Sequence, residues 1–543
     1  MNMFGGKPSY HSIDPRFRDQ VIRTGFDYKL LFGCRIKVLM VTDGSDFDDG
    51  SGYHLSEVIK AITDDLPSYL TIEIKTAEHH SGSASGADYS NLNLANHNLS
   101  QYDQIWFFAV SPSTTSGLTD AEVSAVWEFM QGGGGIFATG DHEALGVALC
   151  GKLPRVRSMR RWWYDYSDTS NLTPGPNNEP RAPSRSGSDR HNTTIGTDFD
   201  GTPQTIVPKK YYAPHPYIFR TKVFPHPVLC GPEGPITVLP DHMHEGAIEV
   251  PPLNQHVPVG GNEVKEYPDS AGSPLAPEVI ATATNHVTNQ PFGVIGAYDG
   301  HLVDEIEDGV GRIVVDATWH HFFNTNLNQF RSGFEAVQTA LANGTTPSAA
   351  DIQLADYYRP MRAYFQNIAV WLARAKTQDC IRRRGLWFVR WHLDVQMALL
   401  PDPYLPVRID ERWIHYWDLG TKARDAFQRL APQCQSLELI LWVVQKTQYA
   451  ELLNPWWERE IRIRDDKLAE EPFASFLDPE AIGLVALGGA MQAIGTEIGE
   501  KMDESIIDDG RLDKVAQYGA QQALATMGGI MEQDMKILQR TAE

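Results

Sequence analysis

The stretch RIKVLMVTDG, residues 35–44, determines the predicted fold. It is a short apolar run that ends in a polar turn, the pattern of a strand buried on both faces of a parallel sheet. Residues 52–65 have the apolar spacing of a helix, and strand-like segments follow at 70–80 and 102–110. This alternation predicts a doubly wound α/β sheet, because parallel strands need crossover helices between them.

A further helix and strand continue the pattern at residues 118–131 and 132–140. Thr119 is followed three residues later by Glu122, which predicts a capping box at the start of this helix. Further strand signals lie later in the chain, at 235–240, 279–284, 292–300 and 311–320. We therefore predict a mostly parallel, flavodoxin-like sheet that closes near residue 325.

The 543-residue chain is long enough for two or three domains. We predict an N-terminal extension over 1–34, an α/β domain over 35–328 and an all-α domain over 329–543. Residues 151–215 interrupt the α/β pattern with Pro, Ser, Gly, Asn and Arg. Such an insertion is either a functional cover over a site or disordered.

Small residues dominate the predicted helices at 483–499 and 514–531. Small side chains let helix backbones approach each other, either within one chain or between copies. Close packing within the chain is the simpler interpretation. A homo-oligomer formed through the C-terminal helices is the alternative.

Composition limits the classes of partner. The formal net charge of -22 disfavours binding to nucleic acid or to an anionic membrane. No apolar run is long enough for a transmembrane segment, and the N-terminus lacks the apolar stretch of a secretory signal. The five cysteines are scattered without a CxxC pair, so we expect reduced thiols and a cytoplasmic location.

Histidine and acidic residues follow several predicted strands, where ligands bind in open parallel sheets. Sixteen of the eighteen histidines precede residue 322, so imidazole is concentrated in the α/β part. Imidazole and carboxylate together suit either divalent-metal binding or proton transfer near neutral pH. The groups after the strands are Asp43 to His54, Asp141 with His142, Asp241 to Glu245, and Asp316 with His320 and His321.

From these groups we select three sets of candidate residues, all of them for a small-molecule substrate or ligand. The catalytic candidates are Asp141, His142, His320 and Glu245. The candidate ligands of a divalent metal (zinc, manganese or iron) are His142, Asp241, His242, His244 and His320. The candidate substrate-binding residues are Asp43, His54, Arg160 and Arg161. The glycine run matches neither phosphate-loop pattern, so no nucleotide cofactor is expected.

Each candidate also has a structural interpretation. Asp43 can belong to a turn that caps the next helix, and Asp141 can be an N-cap. Because neighbours on a strand face opposite ways, at most one of His320 and His321 should enter the pocket. The insertion's arginines, such as Arg160, either bind an anion or pair with the surplus acidic residues.

The order of several motifs resembles the ThuA-like branch of the class I glutamine amidotransferase-like superfamily. The motifs are VLMVTDG with Tyr53 and His54, the segment 118–142, HPV at 226–228 ahead of LPDHMHEG, and GRIVVDATWHHF at 311–322. The match covers about residues 35–325. The resemblance implies a flavodoxin-like sheet with a polar pocket, roles for His142, Glu245 or Asp241, and His320, and an association with carbohydrate metabolism. The GDH turn, the doubled histidines and the missing glutaminase cysteine depart from the family pattern.

Two functional hypotheses follow from these observations. The first is a hydrolase or lyase without a Ser or Cys nucleophile, in which metal or acid–base groups act on a small polar substrate, sugar-derived or anionic. The second is a non-catalytic ligand-sensing or scaffold protein, with a pocket in the α/β domain and a helical assembly domain.

Overall fold

The structure is a computed structural model that describes most of the α/β part and much of the helical C-terminal part. The described residues are 33–67, 69–79, 84–112, 117–141, 145–160, 203–213, 222–232, 234–240, 245–270, 272–285, 289–303, 306, 309–390, 392–399, 412–428, 439–440, 442–444, 447, 479–497 and 510–542.

An eight-stranded sheet forms the centre of the α/β part. Its strands are β1 Cys34–Thr42, β2 Leu70–Glu78, β3 Gln104–Phe108, β4 Gly135–Thr139, β5 Val207–Pro208, β6 Glu278–Thr284, β7 Pro291–Tyr298 and β8 Ile313–Asp316. The strand order is β2-β1-β3-β4-β8-β7-β6-β5. The pairs from β2 to β8 are parallel, and those from β8 to β5 are antiparallel. The parallel part has the flavodoxin order, so the predicted α/β fold is confirmed.

Helices flank the sheet and continue to the C-terminus. They are α1 Ser56–Thr63, α2 Asp120–Gln131, α3 Val147–Cys150, α4 Asn324–Ala342, α5 Ala349–Trp371, α6 Ala375–Arg390, α7 Leu393–Leu399, α8 Arg412–Gln428, α9 Pro479–Glu497 and α10 Arg511–Ala542. The predicted capping box is present at α2, where the Thr119 hydroxyl accepts from the Glu122 N–H and the Glu122 carboxylate accepts from the Thr119 N–H. Among the described helices, none is long and apolar enough to cross a membrane.

One predicted strand does not join the sheet. The predicted strand is 235–240. Its residues Val238–Leu239 pair with Gln204–Thr205 in a separate two-stranded ribbon. The four other ribbons are Cys230–Gly231 with Gly234–Pro235, Tyr211–Ala213 with Lys222–Phe224, His256–Val259 with Asn262–Lys265, and Asp269–Ser270 with Ser273–Pro274. An apolar run of this length is compatible with either kind of pairing, because periodicity does not identify the partner strand.

The described residues pack into two hydrophobic clusters. The first contains the sheet and continues through α4 and α5 as far as Ile381, and the second begins at Leu386 and joins α8, α9 and α10. Both clusters therefore include residues of helix α6. The domain division predicted at residue 328 stays a prediction, since helical periodicity does not tell which core a helix covers.

The expectation of reduced thiols is wrong for part of the chain. Cys34, the first residue of β1, forms a disulfide with Cys380 on α6. Cys230 is also disulfide-bonded, whereas Cys150 is a free, buried thiol. Sequence spacing could not reveal the first pair, because its members lie 346 residues apart.

Glycines bring the C-terminal helices into backbone contact. A Cβ on Gly488 of α9 would lie 1.8 Å from the Tyr416 carbonyl oxygen of α8. A Cβ on Gly420 of α8 would lie 1.8 Å from the Leu484 carbonyl oxygen of α9. The small residues of α9 therefore serve helix packing within the chain, as the simpler interpretation proposed. Self-association stays a prediction.

We expect Gly488→Ala to lower the free energy of unfolding by about 1–3 kcal/mol, because the added methyl group would force the two helices apart. The matched control is Gly529→Ala on α10, where an added Cβ meets no atom of the described residues within 4 Å. There the gain in helix propensity should leave stability unchanged or raise it by about 1 kcal/mol. Urea denaturation followed by circular dichroism measures both. Equal stabilities for the two variants would contradict the close packing.

Candidate functional site

Asp316 ends strand β8 and organises the polar groups around it. Its Oδ1 lies 2.7 Å from Nδ1 of His321 and accepts a hydrogen bond from the Thr318 N–H at 3.2 Å. Its Oδ2 accepts a hydrogen bond from the Tyr364 hydroxyl of α5 at 2.6 Å. The side chains of Asp316, His321 and Tyr364 are fully buried. This carboxylate therefore joins the end of the sheet to a helix that covers it.

His321 lies between acceptor oxygens on both sides of its ring. Its Nε2 is 2.6 Å from Oε1 of Gln204 and 3.7 Å from Oε1 of Glu245. Because each ring nitrogen faces an oxygen, the network fits the doubly protonated imidazolium. Burial opposes that charge, but the carboxylates of Asp316 and Glu245 outweigh it and raise the pKa of His321 to about 10.

Glu245 completes what we call the acid–imidazole cluster: Asp316, His321, Glu245, Gln204 and Tyr364. The Glu245 carboxylate is fully buried, and this burial raises its pKa, against the opposing effect of His321. A buried acid with a raised pKa beside a histidine is an arrangement suited to proton transfer. Among the predicted catalytic residues, Glu245 is thus the one that the structure brings to a histidine.

Asp141 follows the neighbouring strand. In the parallel register Thr139 of β4 pairs with Asp316 of β8, and Asp141 comes two residues after Thr139. The Trp319 N–H donates to the Gly140 carbonyl at 2.7 Å, which holds the two strand ends together. Asp141 is 1% exposed. The structure therefore places this predicted residue beside the turn that carries the cluster histidine.

His320 and His321 have different surroundings. Nδ1 of His320 lies 3.1 Å from Oδ1 of Asn326, and its ring packs against Tyr53, Trp319 and Phe323. His320 was the predicted candidate, yet His321 is the histidine that contacts the carboxylates. The two side chains do not alternate as on a strand, because β8 ends at Asp316 and residues 319–321 form a 3₁₀ turn.

Arg160 packs against Gly246, the residue that follows Glu245. Its guanidinium group is fully buried against Gly246, where a Cβ would lie 2.0 Å from Nη2 of Arg160. The Gly246 N–H in turn donates to the Ala317 carbonyl at 3.3 Å. A side chain at position 246 would displace the arginine, so this glycine leaves room for the buried guanidinium against the backbone that follows Glu245.

Two other predicted substrate-binding residues, Asp43 and His54, have structural partners. Oδ1 of Asp43 accepts from the Val110 and Ser111 N–H groups at 2.6 and 3.2 Å, which ties the end of β1 to the end of β3. Burial raises the Asp43 pKa, against the effect of these two N–H groups. Nδ1 of His54 lies 2.5 Å from Oδ1 of Asp48, within the loop that follows β1.

Asn324 holds this loop in place and was not predicted. Its Nδ2 donates to the Gly50 carbonyl and to the Ser56 hydroxyl, and its Oδ1 accepts from the Glu57 N–H at 2.9 Å. Gln204 and Tyr364 were also missed. No local pattern marks any of the three, because each acts on residues distant in sequence. A signal did exist for His321, which directly follows the selected His320.

Several predicted residues cannot be assigned a place. His142, Asp241, His242, His244 and Arg161 lie outside the described residues. Within the described ranges, no group of three or more His, Cys, Asp or Glu side chains is arranged to hold a metal ion. Most of the predicted ligand set lies outside these ranges, so the metal site stays a prediction.

Comparisons with known proteins add little to this site. No family model matches the chain, and no curated protein matches it. In structure the chain is similar to a protein described as ThuA-like from Parabacteroides merdae ATCC 43184, with 12% sequence identity and a TM-score of 0.24. The similarity covers 52% of this chain and 78% of that chain.

Alkaline pH is expected to destabilise the protein through His321. Its pKa rises from 6.5 to about 10 on folding, so the folded state holds the extra proton between these values. The contribution of this proton to the free energy of unfolding is complete below pH 6.5 and is lost as the pH rises through about 10. The loss is up to about 1.4 kcal/mol per pH unit. Urea denaturation from pH 6 to 10 measures the slope. His321→Gln should flatten it, and an equal slope in both proteins would contradict the assignment.

Asp316→Asn should lower the free energy of unfolding by about 3–5 kcal/mol, because it leaves a buried imidazolium without its closest counter-charge. Tyr364→Phe removes only one hydrogen bond to the same carboxylate and should cost about 1–3 kcal/mol. Denaturation of both variants at pH 7 tests the ranking. A loss in Asp316→Asn no larger than that in Tyr364→Phe would show that the ion pair is not the dominant contact.

Proposed function

We propose that this protein is an enzyme, a hydrolase or lyase, that acts on a small polar substrate by acid–base chemistry at the carboxyl ends of β4 and β8. The observation that carries the proposal is the buried acid–imidazole cluster next to Asp141. In this proposal Asp141 and Glu245 exchange protons with the substrate, and the His320 and His321 turn supplies the imidazole. Asp316 orients His321 through its Nδ1.

The energetic cost of the cluster supports a functional role. Each buried ion loses several kcal/mol of hydration, and well-packed apolar residues can stabilise a core as well as a buried ion pair does. Asp316, Glu245 and His321 are fully buried at the edge of the sheet where α/β enzymes bind ligands. Groups whose pKa is shifted by burial together with a specific charge partner are concentrated at active sites.

The ThuA-like resemblance supports, in part, a site at the same edge of the sheet. Glu245 and His320, two of the positions carried over, lie at the carboxyl end of β8 or against it. The HPV and GR motifs lie elsewhere: Arg312, just before β8, pairs with Asp299 at 2.7 Å and stacks on Trp371. His226 of the HPV motif packs against the same Trp371. Both motifs therefore have a packing role in this chain, and the resemblance to the ThuA-like branch rests on the order of the motifs.

A divalent metal is a separate part of the proposal. Its ligands would come from His142, Asp241, His242, His244 and His320, of which only His320 is described. When bound, zinc, manganese or iron would polarise the substrate or lower the pKa of a bound water. The acid–base roles of Glu245 and Asp141 do not depend on it.

A non-catalytic ligand-sensing or scaffold protein is the second candidate. The complete burial of Glu245 and His321 favours it, because a group that transfers protons to a substrate must reach that substrate. In that case the cluster would serve to fix the end of β8 against α5.

The proposal is tested by measuring substrate turnover in the wild type and in matched variants. The full chain is incubated with a panel of esters, lactones and glycosides of neutral and acidic sugars, and products are detected by mass spectrometry. We expect Glu245→Gln and Asp141→Asn to reduce turnover about 100-fold or more. The control is Glu122→Gln, since Glu122 is a buried carboxylate 2.9 Å from Nε2 of His79, at the β2 side of the sheet.

Three outcomes separate the candidates. Loss of turnover in the two site variants but not in the control supports the enzyme. Ligand-induced thermal stabilisation without product supports the sensing protein. Turnover that survives both substitutions in folded protein excludes this site. Elemental analysis of the purified chain, before and after His244→Ala and His320→Ala, decides whether these residues hold a metal.

A further inference from the structure

Helix α6 is the element that the two hydrophobic clusters share. Its residue Ile381 belongs to the cluster of the sheet, whereas Leu386 and Trp387 belong to the C-terminal cluster. The way in which α6 is fixed to the sheet therefore decides how the first cluster is connected to the second.

Polar contacts fix the beginning of α6 to the ends of the strands. The Thr377 hydroxyl donates to Oδ1 of Asp103 at 2.7 Å, and Oδ2 of the same aspartate accepts from the Lys37 N–H on β1. The Arg374 guanidinium lies over the Phe129 ring at 5.1 Å and donates to the Gly132 carbonyl. Asp103 and Phe129 are buried, so these contacts fix the beginning of α6 to the covered part of the sheet and of α2.

The covalent contact lies in the same turns of the helix. Cys34 opens β1 and is 1% exposed, and it is bonded to Cys380, one residue before Ile381, with 5.9 Å between their Cα atoms. The disulfide thus joins the first strand of the sheet to the helix at which the second cluster begins. Since it closes a loop of 346 residues, it restricts the unfolded chain strongly.

The other described cysteines agree with an oxidised chain. Cys230 is disulfide-bonded as well. Cys150 is the free thiol, and it is fully buried with its pKa raised by that burial, so it is poorly suited to attack a disulfide. Structural disulfides are rare where thiols are kept reduced and common in secreted and periplasmic proteins.

We propose that this protein works in an oxidising compartment, with Cys34–Cys380 as the covalent joint between its two hydrophobic clusters. This replaces the cytoplasmic location expected from the scattered cysteines. Formation of the bond removes one hydrogen from each thiol. The two electrons and two protons pass to a disulfide of an exchange partner, which leaves as a dithiol.

The first experiment determines the state of the cysteines in the cell. Cells that produce the protein naturally are lysed in excess iodoacetamide, and the protein is digested without reductant for mass spectrometry. We expect the Cys34 and Cys380 peptides as one cross-linked species. Cys150 is the internal control, because it should be alkylated once the chain is denatured. Alkylated Cys34 and Cys380 in the same sample would overturn the proposal.

The second experiment tests whether the Cys34–Cys380 disulfide fixes helix α6. Hydrogen exchange over residues 375–390 is compared between the wild type and the Cys34→Ser/Cys380→Ser variant, with Cys150→Ser as the control. We expect exchange in α6 to become at least 10-fold faster in the double variant only. Unchanged exchange would show that the polar contacts alone hold α6. If the double variant does not fold, the same comparison is made on wild-type protein reduced under native conditions.

Discussion

The parallel pairing of β4 with β8 is the contact on which the site depends. These strands are adjacent in the sheet although the chain between them includes the whole insertion. Two glycines permit the approach: a Cβ on Gly311, just before β8, would lie 1.9 Å from the Gly134 carbonyl oxygen. The Gly311 N–H also donates to the Met130 carbonyl at 2.7 Å. A larger residue at position 311 would separate the strands and with them Asp141 and Asp316.

Much of the α/β architecture could be predicted from local sequence. The buried strands are apolar runs such as residues 38–41, and the start of α2 carries its capping signal in Thr119 and Glu122. These features depend on residues within one turn or one strand. The carboxyl edge of the sheet was predictable for the same reason, since strand direction follows from the β–α–β alternation.

The details of the site could not be predicted in this way. His321 was passed over because the strand was expected to continue through residue 320, whereas it ends at Asp316. Tyr364 lies on a helix and Gln204 on a two-stranded ribbon, and no sequence pattern near Asp316 indicates that either contacts the cluster. The packing partner of α4 and α5 could not be predicted either, because both have the periodicity of any amphipathic helix while they share a hydrophobic cluster with the sheet. The boundary at residue 328 stays a prediction.

The β4–β8 pairing also has a consequence for biosynthesis. Strand β4 ends at Thr139, but its neighbour β8 begins only at Ile313. At ribosomal speeds of about 5–20 residues per second, the edge of β4 stays unpaired for roughly 10 to 35 seconds after it emerges. An open apolar strand edge is a template for pairing with other chains. During translation the nascent chain therefore depends on shielding of this edge, by its own later segments or by a chaperone.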